Sequence, residues 1–203
     1  MYQPVYPTFF PVGSVALNPA WTNGCYTSTP GAPGYFAGPC SEADVLFVAT
    51  SSENALKRLG MTFDVGIDNA PGSIGVAGFY NAFSAPLFAW VGVEVEKTGR
   101  TTGATRGIVQ GTCQSLVVSG SPNYMITCAD RVTNAGAGRG DSGAPVYRHI
   151  DSGIYPLGTL FAGSPLNAID AQGTAYCSSG CTYFYSPWAN IQNRLARTFN
   201  PQP

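Results

Sequence analysis

The sequence is poor in charged residues and contains a single histidine, His149. Asp, Glu, Lys and Arg make up only 10% of the 203 residues, and the formal net charge is −1. Proteins that bind nucleic acid or an anionic membrane surface carry a marked excess of basic residues, so neither is an expected partner. No apolar run is long enough to span a bilayer, which excludes a membrane-spanning helix.

Glycine, proline and aromatic residues are abundant instead. The chain has 25 glycines and 16 prolines, and 12% of its residues are aromatic. This mixture is typical of short strands joined by tight turns and disfavours a helical protein. The length suffices for one large domain or two small packed ones.

The six cysteines fall into three pairs that are close in sequence. Local spacing favours the disulfides Cys25–Cys40, Cys113–Cys128 and Cys177–Cys181 over the other possible pairings. Metal binding is the alternative, but no Cys-x-x-Cys pair and no nearby histidine supports it. We therefore expect no metal or other cofactor, and the disulfides predict an oxidising, extracellular destination.

The first part of the chain contains scattered strand signals between prolines. Residues 12–17 could form a short strand. Residues 43–50 (Ala-Asp-Val-Leu-Phe-Val-Ala-Thr) predict a buried strand because they are mostly apolar and rich in β-branched side chains. Residues 53–60 fit either a single helical turn or a loop.

Strand signals recur regularly in the second half. Residues 69–88 form an irregular stretch, and the predicted domain boundary lies within it. The first predicted domain is residues 1–80 and the second is residues 81–203. Six strands are predicted in the second domain, at 90–97, 107–118, 124–132, 144–149, 155–162 and 182–185. Six strands in about 100 residues fit a small closed antiparallel barrel.

The chain ends on a predicted amphipathic helix. Ser186 is the expected N-cap, and Pro187 fits the first helical position. The stripe expected to pack against the barrel consists of Trp188, Ile191, Leu195 and Phe199.

A glycine-rich turn at 138–145, Gly-Arg-Gly-Asp-Ser-Gly-Ala-Pro, presents a candidate nucleophile in Ser142. Glycines let the backbone aim its N–H groups at a developing oxyanion, but a serine also needs a base. His149 lies seven residues further on. An extended strand would place it roughly 20 Å from Ser142, so we interpret it as a structural or surface histidine.

Several motifs together resemble the chymotrypsin-like serine peptidases, with the bacterial secreted branch as the nearest match. They are Lys-Thr-Gly-Arg-Thr-Thr-Gly at 97–103, Gly107, the serine turn, the segment 158–163 and the closing helix. The segment at 40–48 resembles the family's Ser-Asp-Ala-Ala-Phe-Val stretch. The resemblance implies an all-β fold of two antiparallel six-stranded barrels, the first incomplete, followed by a C-terminal helix.

The resemblance also implies roles for individual residues. Ser142 would be the nucleophile, and the N–H groups of Gly140 and Ser142 would form the oxyanion hole. Asp44 would orient the catalytic histidine, although it could instead cap a strand or turn. Asp141 would be buried against a cation that supports the oxyanion loop. We predict Arg100 as this cation, with Arg139 and Arg131 as the other possible partners.

The family's primary substrate pocket would be walled by Gly136, Arg139, Phe161 and Gly163. Trypsin-like members place an aspartate six residues before the nucleophile, where this chain has Gly136. We therefore expect no strong preference for lysine or arginine at the cleavage site. The bulk of Phe161 favours small or medium apolar side chains.

The chain departs from the family because no histidine precedes Asp44. The first residues also lack the basic and apolar stretches of a secretory signal. We therefore expect a C-terminal fragment of a secreted serine endopeptidase that acts on polypeptides and is nearly inactive by itself. The alternatives are a non-catalytic homologue that serves as a secreted binding module, or a purely structural β-domain. The sequence leaves the oligomeric state open.

Overall fold

The computed structural model describes residues 2–5, 8–11, 13–26, 34–44, 47–50, 61–64, 78–82, 88–150, 153–169 and 173–196. Strands dominate this part of the chain, and one short helix follows them. The predicted all-β class is therefore confirmed. The possible helical turn at 53–60 and Phe199 lie outside the described residues.

Eight short strands lie in the described part of the first 82 residues. They are β1 (Tyr2–Val5), β2 (Thr8–Pro11), β3 (Gly13–Leu17), β4 (Thr22–Tyr26), β5 (Tyr35–Ser41), β6 (Phe47–Thr50), β7 (Met61–Asp64) and β8 (Gly78–Ala82). They form the antiparallel pairs β1–β2, β3–β6, β4–β5 and β7–β8. The strand predicted over 43–50 is shorter than expected, because Ala43 and Asp44 precede β6 without strand structure.

The second half forms a closed barrel. Its strands are β9 (Glu94–Gly99), β10 (Gly103–Val118), β11 (Tyr124–Gly138), β12 (Pro145–Ile150), β13 (Gly153–Ser164) and β15 (Ala175–Pro187). In the order β9, β10, β11, β15, β13, β12, each strand pairs antiparallel with the next, and β12 returns to β9. The predicted six-stranded barrel is thus confirmed, and four of its strands, β10, β11, β13 and β15, are longer than the sequence indicated.

Three further pairings extend the barrel sheet. The two-residue strand β14 (Ala168–Ile169) pairs with β15. From the first part of the chain, β5 runs parallel to β11, and β8 runs parallel to β13. The β4–β5 pair, which lies just before Asp44, is therefore connected by backbone hydrogen bonds to the barrel that carries the serine turn.

The barrel core is built from alternating inward-facing residues. Its members larger than alanine are Val93, Val95, Val109, Val132, Val146, Leu157, Leu160, Tyr183 and Tyr185. A second cluster consists of Ile126, Ala129 and Phe161, with Tyr124 and Phe184 packed against it. Phe161 of this second cluster also lines a cavity beside Ser142, which is described below.

All three predicted disulfides are confirmed. Cys25–Cys40 joins β4 to β5, Cys113–Cys128 joins β10 to β11, and Cys177–Cys181 closes a short loop within β15. The first two link strands that pair with each other, and the third joins cysteines only four residues apart, which explains why local spacing was sufficient to pair them.

The helix α1 (Trp188–Leu195) continues directly from β15. The predicted capping is wrong. Pro187 occupies the N-cap position, no side chain caps the helix, and Ser186 still belongs to the strand. The Ser186 hydroxyl instead accepts the backbone N–H of Asp44 at 2.9 Å. No helix in the described part of the chain is long and apolar enough to cross a membrane.

Candidate active site

The turn that carries Ser142 connects β11 to β12 and is fastened to β13. The amide of Gly143 donates to the Leu160 carbonyl at 2.7 Å, and the Leu160 amide donates to Ala144 at 2.9 Å. Within the turn, the Ala144 amide donates to the Asp141 carbonyl at 2.9 Å. Ser142 itself is exposed. These bonds hold an accessible serine on a rigid element.

Two backbone N–H groups beside Ser142 have no protein acceptor among the described residues. They are the amides of Gly140 and Ser142, which the sequence assigned to an oxyanion hole. Gly140 has a φ of +95°, and a Cβ there would lie 2.7 Å from Nη1 of Arg100. The positive φ favours glycine, whereas the exposed Arg100 guanidinium is the end of a flexible side chain that could move aside. Unpaired amides in a fixed turn are the kind of donor that stabilises a developing oxyanion.

Beneath the turn, the Asp141 carboxylate is fully buried and accepts several hydrogen bonds. Its Oδ1 accepts the Thr101 amide at 2.7 Å, and its Oδ2 accepts the Thr102 hydroxyl at 2.7 Å and the Gly138 amide at 2.9 Å. The Lys97 Nζ lies 3.1 Å from Oδ2, and both side chains are 0% exposed. This buried ion pair joins the serine turn to β9.

The cation that supports the turn is therefore Lys97, and the predicted Arg100–Asp141 pair is wrong. Arg100 is exposed, in the turn after β9, with its guanidinium beside Gly140. Arg131 and Arg139 form no ion pair with Asp141 either. Lys97 is a strand residue whose side chain faces inward, and it also donates to the Gly103 carbonyl at 3.0 Å. Burial lowers the pKa of Lys97, and the charge of Asp141 opposes this shift.

A cavity of about 490 Å³ opens beside Ser142. Arg139, Phe161 and Gly163, three of the residues predicted to wall a substrate pocket, line it. The Ser142 Oγ lies 3.5 Å from the Phe161 carbonyl, at the wall of the cavity. The remaining walls are largely apolar and include Leu116, Val118, Leu160, Leu166 and Phe184. No carboxylate lines the cavity among the described residues.

Gly136, the fourth predicted pocket residue, does not line this cavity. A Cβ at Gly136 would lie 2.4 Å from the Ser178 carbonyl oxygen, and the Gly136 carbonyl accepts the Thr105 hydroxyl at 3.0 Å. The residue thus packs beneath the Cys177–Cys181 loop. The strand predicted here ended at residue 132, so neither the position of Gly136 on β11 nor the loop that covers it was predicted.

Asp44 lies against two polar groups that are distant in sequence. Its Oδ2 accepts the Tyr124 hydroxyl at 3.4 Å, and its amide is held by Ser186. Burial raises the pKa of Tyr124 to about 12, and the Asp44 charge adds to this shift. No hydrogen bond joins Asp44 to Ser142 in the described part of the chain. Tyr124 packs in the same cluster as Phe161, which lines the serine cavity.

His149 lies on β12, opposite Ile154 on β13. The serine turn enters β12 at Pro145, so His149 is near the other end of the strand. His149 is therefore separated from Ser142 along an extended strand, as the sequence predicted.

The state of Asp44 yields a first testable expectation. Burial raises the pKa of its carboxyl above the ordinary value of 3.8, and the Tyr124 hydroxyl opposes this only in part. A carboxyl with a raised pKa in the folded state stabilises the fold when protonated, and this contribution is lost as the pH rises through that pKa. We therefore expect Asp44→Asn to be more stable than the parent at neutral pH.

Thermal unfolding of both proteins across the acidic range checks this expectation. The difference in melting temperature should shrink as the pH falls and vanish below 3.8, where the carboxyl is protonated in both states. A variant that is less stable than the parent at neutral pH would show that the charged carboxylate is favoured.

Neither protein-family models nor curated proteins give a significant match to this chain. Among solved structures, Cellulomonas bogoriensis chymotrypsin matches over 94% of this chain and 90% of its own, at 20% identity and a TM-score of 0.51. Thermobifida fusca protease A matches at 22% identity and a TM-score of 0.44. Nocardiopsis protease matches at 22% identity and a TM-score of 0.42.

The last two matches cover 59% of this chain and 54% of each of those chains, so this chain spans about half the length of those proteases. The Cellulomonas match covers nearly the whole of both chains. Together with the closed barrel and the C-terminal helix, it shows the class of fold. The protein has the chymotrypsin-like, or trypsin, fold of bacterial serine proteases.

Proposed function

We propose that the protein is a serine-type endopeptidase domain in which Ser142 is the nucleophile. The observation that carries this proposal is the serine turn. An exposed Ser142 lies beside two unpaired amides, in a turn supported by a fully buried Lys97–Asp141 pair. Nucleophilic catalysis of acyl transfer needs this combination of an accessible hydroxyl and fixed oxyanion donors.

In the proposed reaction, the Ser142 Oγ attacks the carbonyl carbon of a peptide while a base takes its proton. The carbonyl oxygen becomes an oxyanion that the Gly140 and Ser142 amides stabilise. The C–N bond then breaks, the amine leaves with a proton, and water hydrolyses the acyl-enzyme. Asp44, a half-buried carboxylate, would orient an imidazole and stabilise its protonated form.

The chain by itself is proposed to hydrolyse peptides slowly, because none of its described groups is placed to act as this base. His149 is its only histidine and lies near the far end of β12. Lys97 is unsuited to the role, since its ammonium donates to Asp141, Thr102 and Gly103 and is fully buried.

The cavity beside Ser142 would receive the side chain that precedes the cleaved bond. Its apolar walls and the presence of Arg139 favour apolar side chains over lysine or arginine, because no carboxylate is available to pair with a cation. Three disulfides support a secreted location for this activity.

Peptides that contain their own imidazole test the proposal. A substrate with histidine next to a leucine at the cleavage site can supply the missing base. We expect it to be cleaved about 100-fold faster than the matched alanine peptide, the size of a typical general-base effect. Ser142→Ala should abolish the difference, and mass spectrometry of the products measures it.

His149→Gln is the matched control and should leave the rate unchanged. Equal cleavage of the two peptides, or undiminished cleavage by Ser142→Ala, would contradict the proposal. Peptide binding without cleavage would instead favour a non-catalytic binding module.

A further inference from the structure

A second cavity, of about 300 Å³, lies where the barrel meets the first turn of α1. It shares no lining residue with the cavity beside Ser142. Its walls include Phe88, Leu157, Trp188, the Cys113–Cys128 disulfide and the carboxylate residue Asp130. The proposed peptidase reaction gives this cavity no role.

Asp130 differs from the other buried carboxylates of the described residues because it is not paired with a cation. Glu96 is paired with Arg106 at 3.0 Å, and Asp141 is paired with Lys97 at 3.1 Å. Asp130 is only 5% exposed and has no cation within ion-pair distance in the described part of the chain. A buried carboxylate without a cation is costly unless its charge is compensated.

The groups that do contact Asp130 are neutral. Its Oδ1 accepts the Cys113 amide at 2.9 Å, and the Tyr185 hydroxyl lies near the carboxylate without hydrogen-bond geometry. Burial raises the pKa of Asp130, and these two neighbours oppose that shift without abolishing it. The Cys113 hydrogen bond therefore positions the carboxylate, but no described residue provides a counterion for its charge.

The rest of the cavity suits an apolar stem that ends in a positive charge. Phe88 and Trp188 provide aromatic surfaces, which attract cations, and Leu157 provides an aliphatic wall. Phe88 is 76% exposed and is accessible to a ligand entering from solvent. No Lys, Arg or His of the described residues lines the cavity, so none of them competes with a ligand for Asp130.

We propose that this cavity binds a primary alkylammonium group, with the ammonium paired to Asp130 and the alkyl stem against Phe88 and Trp188. The group could come from a free amine or from the lysine side chain of a polypeptide. The site is independent of Ser142 and is proposed whether or not the protein cleaves peptides.

Titration with n-butylammonium chloride tests the site directly. The indole N–H resonance of Trp188, identified by its absence in Trp188→Phe, should shift in a saturable way. A ligand of this size can reach a Kd of about 1 mM. n-Butyrate has a similar chain but a negative charge, and n-butanol has none, so neither should produce the shift. Equal responses to all three ligands, or no saturable shift, would overturn the proposal.

Two variants test separately whether binding needs the charge of Asp130 and whether it needs the space inside the cavity. Asp130→Asn keeps an acceptor for the Cys113 amide and should weaken butylammonium binding at least tenfold. Ala189→Leu, at the cavity wall, should block binding while leaving Asp130 in place. Ile169→Ala, at an exposed residue that does not line the cavity, is the control and should bind as the parent does. Unchanged binding by both test variants would refute the site.

Two further ligands distinguish the source of the ammonium. N-acetyl-lysine amide and N-acetyl-norleucine amide differ by the terminal amine alone. Stronger binding of the lysine compound than of butylammonium would identify a polypeptide as the partner, and weaker binding would identify a free amine. Because no readout depends on hydrolysis, failure of the peptidase proposal would leave these results unaffected.

Discussion

Replacing Lys97 by methionine is expected to lower the free energy of unfolding by about 3–5 kcal/mol, the usual effect of removing one partner from a buried ion pair. Methionine has a similar length and keeps the packing, but Asp141 would remain as a buried carboxylate without a cation. Denaturant unfolding, with circular dichroism as the signal, measures the change.

Arg100→Met is the matched control, because Arg100 is the cation that the sequence motif suggested. It is exposed and has no ion-pair partner among the described residues, so its replacement should cost less than about 1 kcal/mol. An equal loss of stability in the two variants would show that Lys97 is not the cation that matters.

The Lys97→Met/Asp141→Asn double variant tests the physical cause. If the loss comes from an uncompensated charge, removing that charge should restore part of the stability. Asp141 also accepts the Gly138 amide at 2.9 Å, so some loss should persist. A double variant less stable than Lys97→Met would contradict the electrostatic explanation.

Gly158→Ala is expected to cost about 3 kcal/mol, at the upper end of what overpacking usually costs. Gly158 lies where β13 and β15 pair and complete the barrel. A Cβ there would lie 2.0 Å from the Ser186 carbonyl oxygen and 2.7 Å from the Tyr185 ring. Because the nearest atom belongs to backbone, the strands must separate to accommodate the methyl group.

Gly34→Ala provides the comparison, since an added Cβ at Gly34 meets nothing within 4 Å. Its stability should change by less than about 0.5 kcal/mol, as for an ordinary surface substitution. Thermal unfolding of the two variants gives the measurement. A Gly158→Ala protein as stable as Gly34→Ala would mean that the β13–β15 contact is not tight.

The sequence alone determined the features that depend on neighbouring residues. The six barrel strands could be predicted because strand signals recur at regular intervals between turn residues, although buried and exposed residues do not alternate strictly along every strand. The three disulfides could be paired because each joins cysteines that are close in sequence. The Ser142 turn could be recognised because its glycines are required by local backbone geometry, as at Gly140.

Only the tertiary structure decided which distant groups meet. Lys97 and Arg100 are cations in one motif, but burial on β9 selects Lys97 as the partner of Asp141. Ser186 has the chemistry of a helix cap, yet the continuation of β15 places its hydroxyl against Asp44.

The surroundings of Gly136 and Asp130 likewise could not be predicted from the sequence. The loop closed by Cys177–Cys181 covers Gly136, and the packing of α1 on the barrel turns Asp130 into the wall of a cavity. These outcomes depend on strand register and on chain segments that approach from far away in sequence. Residue type and local spacing contain no information about such approaches.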